Sequence, residues 1–337
     1  MSIAGLTRPR DTGESGRFMT TLDTRSARRR RLLPWLALLT IYVVWGSTYM
    51  AIRVVVREMP PFAAASVRFF TAGLVMAALA AFRDRALPDR KQLADYALIG
   101  VLFLGIGNGL VMWAERSIPS GIAALLVATV PLWMTFLDGL RDGGQPWTFR
   151  VWLGTFVGLA GVVLVARPQG GVAHGHWPGI IALQVATISW SFGALYSQAV
   201  SRRLPVLSAA AVEMLAGSAA LVLESRIAGE DIGLFRAASH GAWVGLLYLA
   251  VFGSLVGFTA FAYCLNELPA PTVGTYAYVN PVVAVALGAA LLGEPLSAGL
   301  LSGAALILLA VLLSTMGRRR DAEPPSAGAA IAVAEEA

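Results

Sequence analysis

The sequence predicts an all-α membrane protein of ten transmembrane helices, built as two inverted five-helix repeats around a central cavity. Three observations predict it. Of 337 residues, 57% are hydrophobic and 14% charged, against about 25% charged in ordinary globular domains. Apolar runs approaching the ~20 residues needed to cross hydrocarbon recur from Leu32 to Met316, with short polar connectors between them. The second half of the chain also repeats the first at a nearly constant offset.

Residues 1–31 are polar and Arg-rich, ending in Arg28, Arg29, Arg30 and Arg31, and read as a disordered cytoplasmic tail. The apolar run that follows is too long for a signal peptide, lacks a clear small-residue cleavage site and precedes many more spans. It reads as an uncleaved anchor. Breaks at charges, Pro and Gly place spans near 32–54, 61–82, 96–114, 121–140 and 151–166. After a linker at 167–176, five more fall near 177–198, 206–224, 241–264, 272–292 and 299–316. The repeats are therefore 32–166 and 177–316, and 317–337 reads as a second disordered cytoplasmic tail.

An even number of crossings puts both termini on one side. Sixteen Arg and Lys near span ends, among them Arg28 to Arg31, Arg202, Arg203 and Arg318 to Arg320, fall on the side of the tails, and six fall opposite. The positive-inside rule makes that side cytoplasmic. A pI near 9.9 then needs no nucleic-acid partner, because the basic residues flank apolar spans. Cys264 is the only cysteine, which excludes an intramolecular disulfide and a cysteine metal cluster.

Self-comparison is the most informative operation. Trp45, Arg57, Pro60 and Arg68 recur 145 residues later as Trp190, Arg202, Pro205 and Glu213. Gly107, Pro119 and Pro131 recur at offset 150 as Gly257, Pro269 and Pro281, and Gly144, Gln145, Pro146 and Gly154 recur at offset 149 as Gly293, Glu294, Pro295 and Gly303. Five spans per half is an odd number, so the second half enters the membrane from the opposite side. Inverted repeats let a central cavity face either side at similar energy, which is the basis of alternating access.

These residues also carry a family likeness. Trp45-Gly46-Ser47-Thr48-Tyr49, Arg68-Phe69, Pro131 and Gly293-Glu294-Pro295 resemble the EamA family of the drug/metabolite transporter superfamily. Asn108-Gly109-Leu110-Val111 with Trp113-Ala114-Glu115, then Pro119-Ser120-Gly121, resembles its YedA-type exporter branch. The resemblance implies ten helices around a central cavity and efflux of small metabolites, amino acids or drugs. One departure is Gln145, where the first repeat of such proteins often carries Glu after Gly; Glu294 alone keeps the pattern.

Arg68 lies about seven residues inside the second span, roughly 10 Å deep at 1.5 Å per residue. A charge there costs about 2.5–3.5 kcal/mol at a helix centre and less near the interface, so it should face a cavity, carbonyls or an acid. Glu213 holds the equivalent place in an oppositely directed helix, about 10 Å from the cytoplasmic face. The expectation is that the two line separate halves of one cavity, Arg68 attracting anionic groups and Glu213 a cation or proton. The structural alternatives are a snorkelling Arg and a hydrogen-bonded Glu. Trp45 and Trp190, with Tyr49 and Tyr196, are either substrate-facing or interfacial belts. Asn108, Met112 and Glu115 share one face of the third span, and Tyr276 and Asn280 sit four apart in the ninth. Asn108, Tyr276 and Asn280 join the substrate-binding candidates, with helix-to-helix hydrogen bonding as the alternative. Pro131 and Pro281 should kink the fourth and ninth spans and serve as hinges. Gly154, Gly158 and Gly161 permit close helix packing, or a dimer contact in a chain otherwise expected to be monomeric.

His174, His176 and His240 all lie in connectors, so a Ser-His hydrolase within the membrane is excluded. Gly105, Gly107 and Gly109 sit mid-helix with no preceding strand, which removes the dinucleotide reading, and no Walker motif is present. No cofactor, metal or nucleic acid is expected. The expected partners are a small solute, the lipid bilayer and a coupling proton or sodium ion. A channel or signalling scaffold with the same helices is the alternative.

Overall fold

The computed structural model describes residues 15–84, 88–141, 148–166, 176–200, 203–268, 270–273 and 275–316, and no strand occurs among them. The helices are α1 (Ser15–Val56), α2 (Pro61–Arg83), α3 (Arg90–Ala114), α4 (Ser120–Asp138), α5 (Phe149–Ala166), α6 (Trp177–Ala199), α7 (Val206–Ile227), α8 (240–267), α9 (Tyr276–Leu292) and α10 (Ala298–Met316). Seven apolar stretches, in α1 to α4 and α6 to α8, are long and apolar enough to cross a membrane, and three shorter apolar ones lie in α5, α9 and α10. Bulky apolar side chains such as Phe82, Ile227, Leu247 and Leu291 are more than 60% exposed, the outward face expected of helices solvated by lipid.

α1 begins at Ser15, well before the apolar run. Residues 15–31, N-terminal to the apolar run, are thus helical and continuous with α1. Arg, Leu, Met and Ala among them support a helix, and hydropathy does not register them. Residues 1–14, most of the 167–176 linker and the tail at 317–337 lie outside the described residues.

Helix starts follow local chemistry. Asp89 and Gln92 form a reciprocal capping box at the head of α3. Pro61 and Pro178 occupy first-turn positions, where a missing N–H costs nothing. Two helices are widened in mid-course: α3 passes through a π-helical stretch at Val101–Asn108, and α8 through another at Leu249–Val256.

Both prolines lie in helices, Pro131 next to an interruption. α4 is broken at Ala128–Thr129 and restarts at Val130, so Pro131 is the second residue of a new helical piece and bends no continuous helix. A helix can restart there because its first turn needs no amide donor. Pro281 lies in the first two turns of α9, which continues unbroken past it; a separate turn, Ala270–Val273, precedes that helix.

The principal contacts pair α2 with α7, α5 with α10, α1 with α8 and α9, and α6 with α3 and α4. α2 and α7 are antiparallel: Ser66 and Ser218 exchange hydroxyl-to-carbonyl bonds at 3.2 and 3.1 Å, while Gly73 further along α2 meets Met214 and Leu215 earlier in α7. α5 and α10 are antiparallel too. Gly158 lies against Ala310, and Gly161 against Gly303 and Ile307, so the glycines of the GxxxG stretch are taken up by packing within the chain.

Carboxylates at the ends of the α2/α7 pair are exchanged. Asp84, closing α2, accepts from the Ser208 amide and hydroxyl at the head of α7 at 3.1 and 2.7 Å. Glu230, just past α7, accepts from the Phe62 and Ala63 amides at the head of α2 at 3.0 and 2.9 Å. Each satisfies amide groups that a helix start leaves unpaired and complements the positive end of its dipole. Asp84→Ala and Glu230→Ala should each lower stability by about 1 kcal/mol. Because the sites sit at opposite ends of the pair, the double variant should lose close to the sum. Unfolding of the purified variants in mixed detergent micelles measures both.

Candidate functional site

Arg68 projects from α2 into the place where α1, α3 and α8 converge, and is 3% exposed. Its Nε donates to Ser254 Oγ at 2.9 Å and its Nη1 to Asn108 Oδ1 at 3.4 Å. Its guanidinium carbon also lies 4.6 Å from the Phe69 ring centroid. Among the described residues no carboxylate pairs with it; the one salt bridge there joins Arg141 and Asp138 near the end of α4. The guanidinium is held by neutral groups and keeps its charge uncompensated.

Both residues that hold Arg68 come from the π-helical stretches. Asn108 ends the one in α3, and Gly253 and Ser254 lie in the one in α8. Widening a helix misaligns backbone carbonyls, and in an apolar interior these need other donors. In α8 the Gly253 carbonyl accepts from the Trp45 indole of α1 at 3.2 Å. In α3 the Leu102 carbonyl accepts from the Ser189 hydroxyl of α6 at 2.8 Å. Gly253 also gives Arg68 room, since a Cβ there would lie 3.0 Å from both Arg68 Nη2 and Thr48 Cγ2.

The Trp45 ring packs against Phe258, Phe261 and Tyr276 at centroid distances of 5.7, 5.2 and 5.2 Å. With its amide nitrogen turned toward them, Asn280 donates to the Tyr276 and Tyr42 carbonyls at 3.2 and 3.3 Å and ties α9 to α1. Arg68, Asn108, Trp45 and Tyr276 are therefore brought together, with Asn280 behind them. Trp190 stands apart from this group, stacked on Phe103 of α3 at 4.6 Å. Glu213 is half-buried, and its backbone presses against Gly100, directly before the π-helical stretch of α3. Neither is hydrogen-bonded or ion-paired to Arg68 among the described residues. Pro131 and Pro281 lie in α4 and α9, outside the Arg68 contacts.

Sequence reasoning missed Ser254 and Gly253, and missed what Glu294 does. Gly293 ends α9 in the left-handed conformation at φ 67°, which a residue with a side chain adopts only with strain. The turn aims Glu294 at the head of α4, where it accepts from the Ser120 amide, the Ser120 hydroxyl and the Gly121 amide at 2.8, 3.0 and 3.1 Å. Pro295 then prevents α9 from continuing. In the connector between α1 and α2, Glu58 accepts from the Ser239 amide and hydroxyl at the head of α8, and these bonds hold its carboxyl below the usual range.

A sequence model of the EamA-like transporter family matches residues 33–167 and again 177–316. The chain belongs to the EamA-like transporter family. It is 41% identical over 294 residues to a protein of Escherichia coli K12 named "Uncharacterized inner membrane transporter YedA", covering 86% of this chain and 94% of that one. An "Uncharacterized transporter" of Archaeoglobus fulgidus is 23% identical over 283 residues, covering 83% of this chain and 97% of its own. One solved crystal structure at 23% identity superposes with a TM-score of 0.58 over 86% of this chain and 98% of its own, and shares the fold. The run Gly293-Glu294-Pro295 is thus a helix stop, a cap for another helix and a helix breaker in sequence. Glu294→Ala should lower stability by about 1 kcal/mol. Glu294→Gln, which keeps an acceptor but no charge, should recover part of that loss in the same detergent unfolding measurement.

Proposed function

We propose that this family member is a secondary transporter of the cytoplasmic membrane that exports small metabolites, amino acids or drugs by alternating access, with Arg68 receiving an anionic group of the solute. The observation that carries the reading is the buried guanidinium with neutral partners only. A charge that deep is expensive unless something compensates it, and a bound carboxylate or phosphate would do so by a bidentate, charge-assisted contact. Its holders, Asn108 and Ser254, come one from each half of the chain, so a solute bound there would touch both halves.

Two inverted repeats crossing the membrane ten times suit the packing. The α2/α7 and α5/α10 pairs are antiparallel, and the contacts of α1 with α8 and α9 have counterparts in those of α6 with α3 and α4. Asp84 and Glu230 exchange caps across the same relation. A bundle related to itself in this way has an inward-facing and an outward-facing form of similar energy. In this reading Glu213, Trp190, Tyr276 and Asn280 line the cytoplasmic half of the pathway, Trp45 lies near its middle, and both termini are cytoplasmic. Pro131, beside the interruption in α4, and Pro281, in the first turns of α9, supply the hinges. The gradient that drives the cycle is one of protons or sodium ions.

The test is flux in proteoliposomes, with radiolabelled amino acids and small carboxylic acids as probes. A carrier gives saturable uptake that rises when unlabelled solute is loaded on the far side; a channel or scaffold gives neither. Arg68→Ala should cut counterflow about tenfold or more, the equivalent of losing a charge-assisted hydrogen bond, while Arg68→Lys keeps part of it. Undiminished counterflow in Arg68→Ala would remove Arg68 from the pathway.

A further inference from the structure

A second buried charge centre lies at the opposite end of α3 from its capping box. Glu115 closes that helix and is 0% exposed, and neither of its carboxyl oxygens has a hydrogen-bond partner. Arg53 of α1 reaches it but donates Nη1 to the Glu115 backbone carbonyl, leaving its own Nε without a partner. Tyr49 of α1 and Glu294 past α9 are the other ionisable groups close enough to act on this cluster, while Arg57 acts on Arg53. Glu294 is committed to the head of α4 through its three bonds.

An ionised carboxylate fully out of water with no donor costs several kcal/mol, and such a group takes up a proton instead. Burial, with Glu294 nearby, pushes the Glu115 carboxyl well above the usual carboxylate range, against the opposing pull of Arg53. A metal cation is a poor alternative occupant. It would need several oxygen ligands beside the Arg53 guanidinium, whose charge repels it, whereas a proton bonded covalently to Glu115 has no such conflict.

We infer that Glu115 is the site of the coupling proton: it holds the proton while this end of the bundle is closed, and releases it to water when the end opens, its carboxylate then pairing with Arg53. The balance is simple. The O–H bond of the carboxylic acid breaks, the proton goes to bulk water, and the Arg53 guanidinium moves from the backbone carbonyl to the new carboxylate. This rests on the transporter reading above and selects a proton in place of sodium.

Two measurements test it. Infrared difference spectra between neutral and alkaline pH, taken on the purified protein without solute, should show a protonated carboxyl band that Glu115→Gln lacks. The same band in both proteins would overturn the assignment. In proteoliposomes, with a probe solute that gives counterflow, the ratio of pH-gradient-driven flux to counterflow should fall about tenfold in Glu115→Gln, the factor one pH unit sustains for one proton per cycle. An unchanged ratio, or gradient-driven flux that follows sodium at constant pH, would overturn the coupling role. Glu115→Gln keeps the shape of the neutral acid, so an unaltered detergent unfolding profile excludes misfolding as the cause. If wild-type protein shows no counterflow at all, the carrier reading fails, while the infrared comparison still decides whether Glu115 holds a proton.

Discussion

A bilayer interior offers no water to backbone groups, and that single constraint explains where this chain puts its few polar side chains. Helix starts leave amides unpaired and widened turns leave carbonyls out of line, and several of these groups find their partner on another helix. Four carboxylates are spent on helix heads: Asp84 at α7, Glu230 at α2, Glu294 at α4 and Glu58 at α8. The Trp45 indole and the Ser189 hydroxyl serve the two π-helical stretches in the same way. Satisfying the backbone and joining the helices are one act here.

Arg68 sits where those two widened helices meet, and its position follows from them. A regular α-helix seals its carbonyls inside its own ladder and shows neighbours only side chains. Opening α3 and α8 at corresponding places brings Asn108 and Ser254 within reach of one guanidinium without any acid being buried beside it. Had a carboxylate stood there, the pair would be neutral and a charged solute group would have to displace it. With neutral holders the positive charge stays without a carboxylate partner among the described residues.

How much of this was legible follows from what each signal measures. Hydropathy marks where lipid begins and ends, so the apolar stretches were readable, but it is blind to a hydrogen-bonded helix in polar sequence, and the start of α1 at Ser15 was missed. Arg68, Asn108, Trp45 and Tyr276 stood out because polar and aromatic residues are rare in such runs, and the structure places them in one neighbourhood. Ser254 and Gly253 gave no such contrast, being small residues common in membrane helices, and π widening leaves no mark in composition. Gly293-Glu294-Pro295 was visible as a family signature, yet its task depends on Ser120, 174 residues away, which no local reading reaches. Pro131 was legible as a proline in an apolar run, and the interruption at Ala128–Thr129 lies within one turn before it, where its missing N–H leaves a carbonyl unpaired.

The two ends of the bundle are not equivalent, and the inequality has a chemical origin. The end that holds the heads of α2, α4 and α8 gathers Glu58, Glu230 and Glu294 as caps, with Glu115 and Arg53 among them. At the opposite end the described residues supply Asp84 and the local Asp89 box. The sequence itself breaks the match: where Glu294 stands in the second half, the first half carries the neutral Gln145. A charged cap joining α9 to α4 is held more tightly than an amide would be. The two ends of the bundle are thus joined by different chemistry, ionised caps between helices at one and few of them at the other.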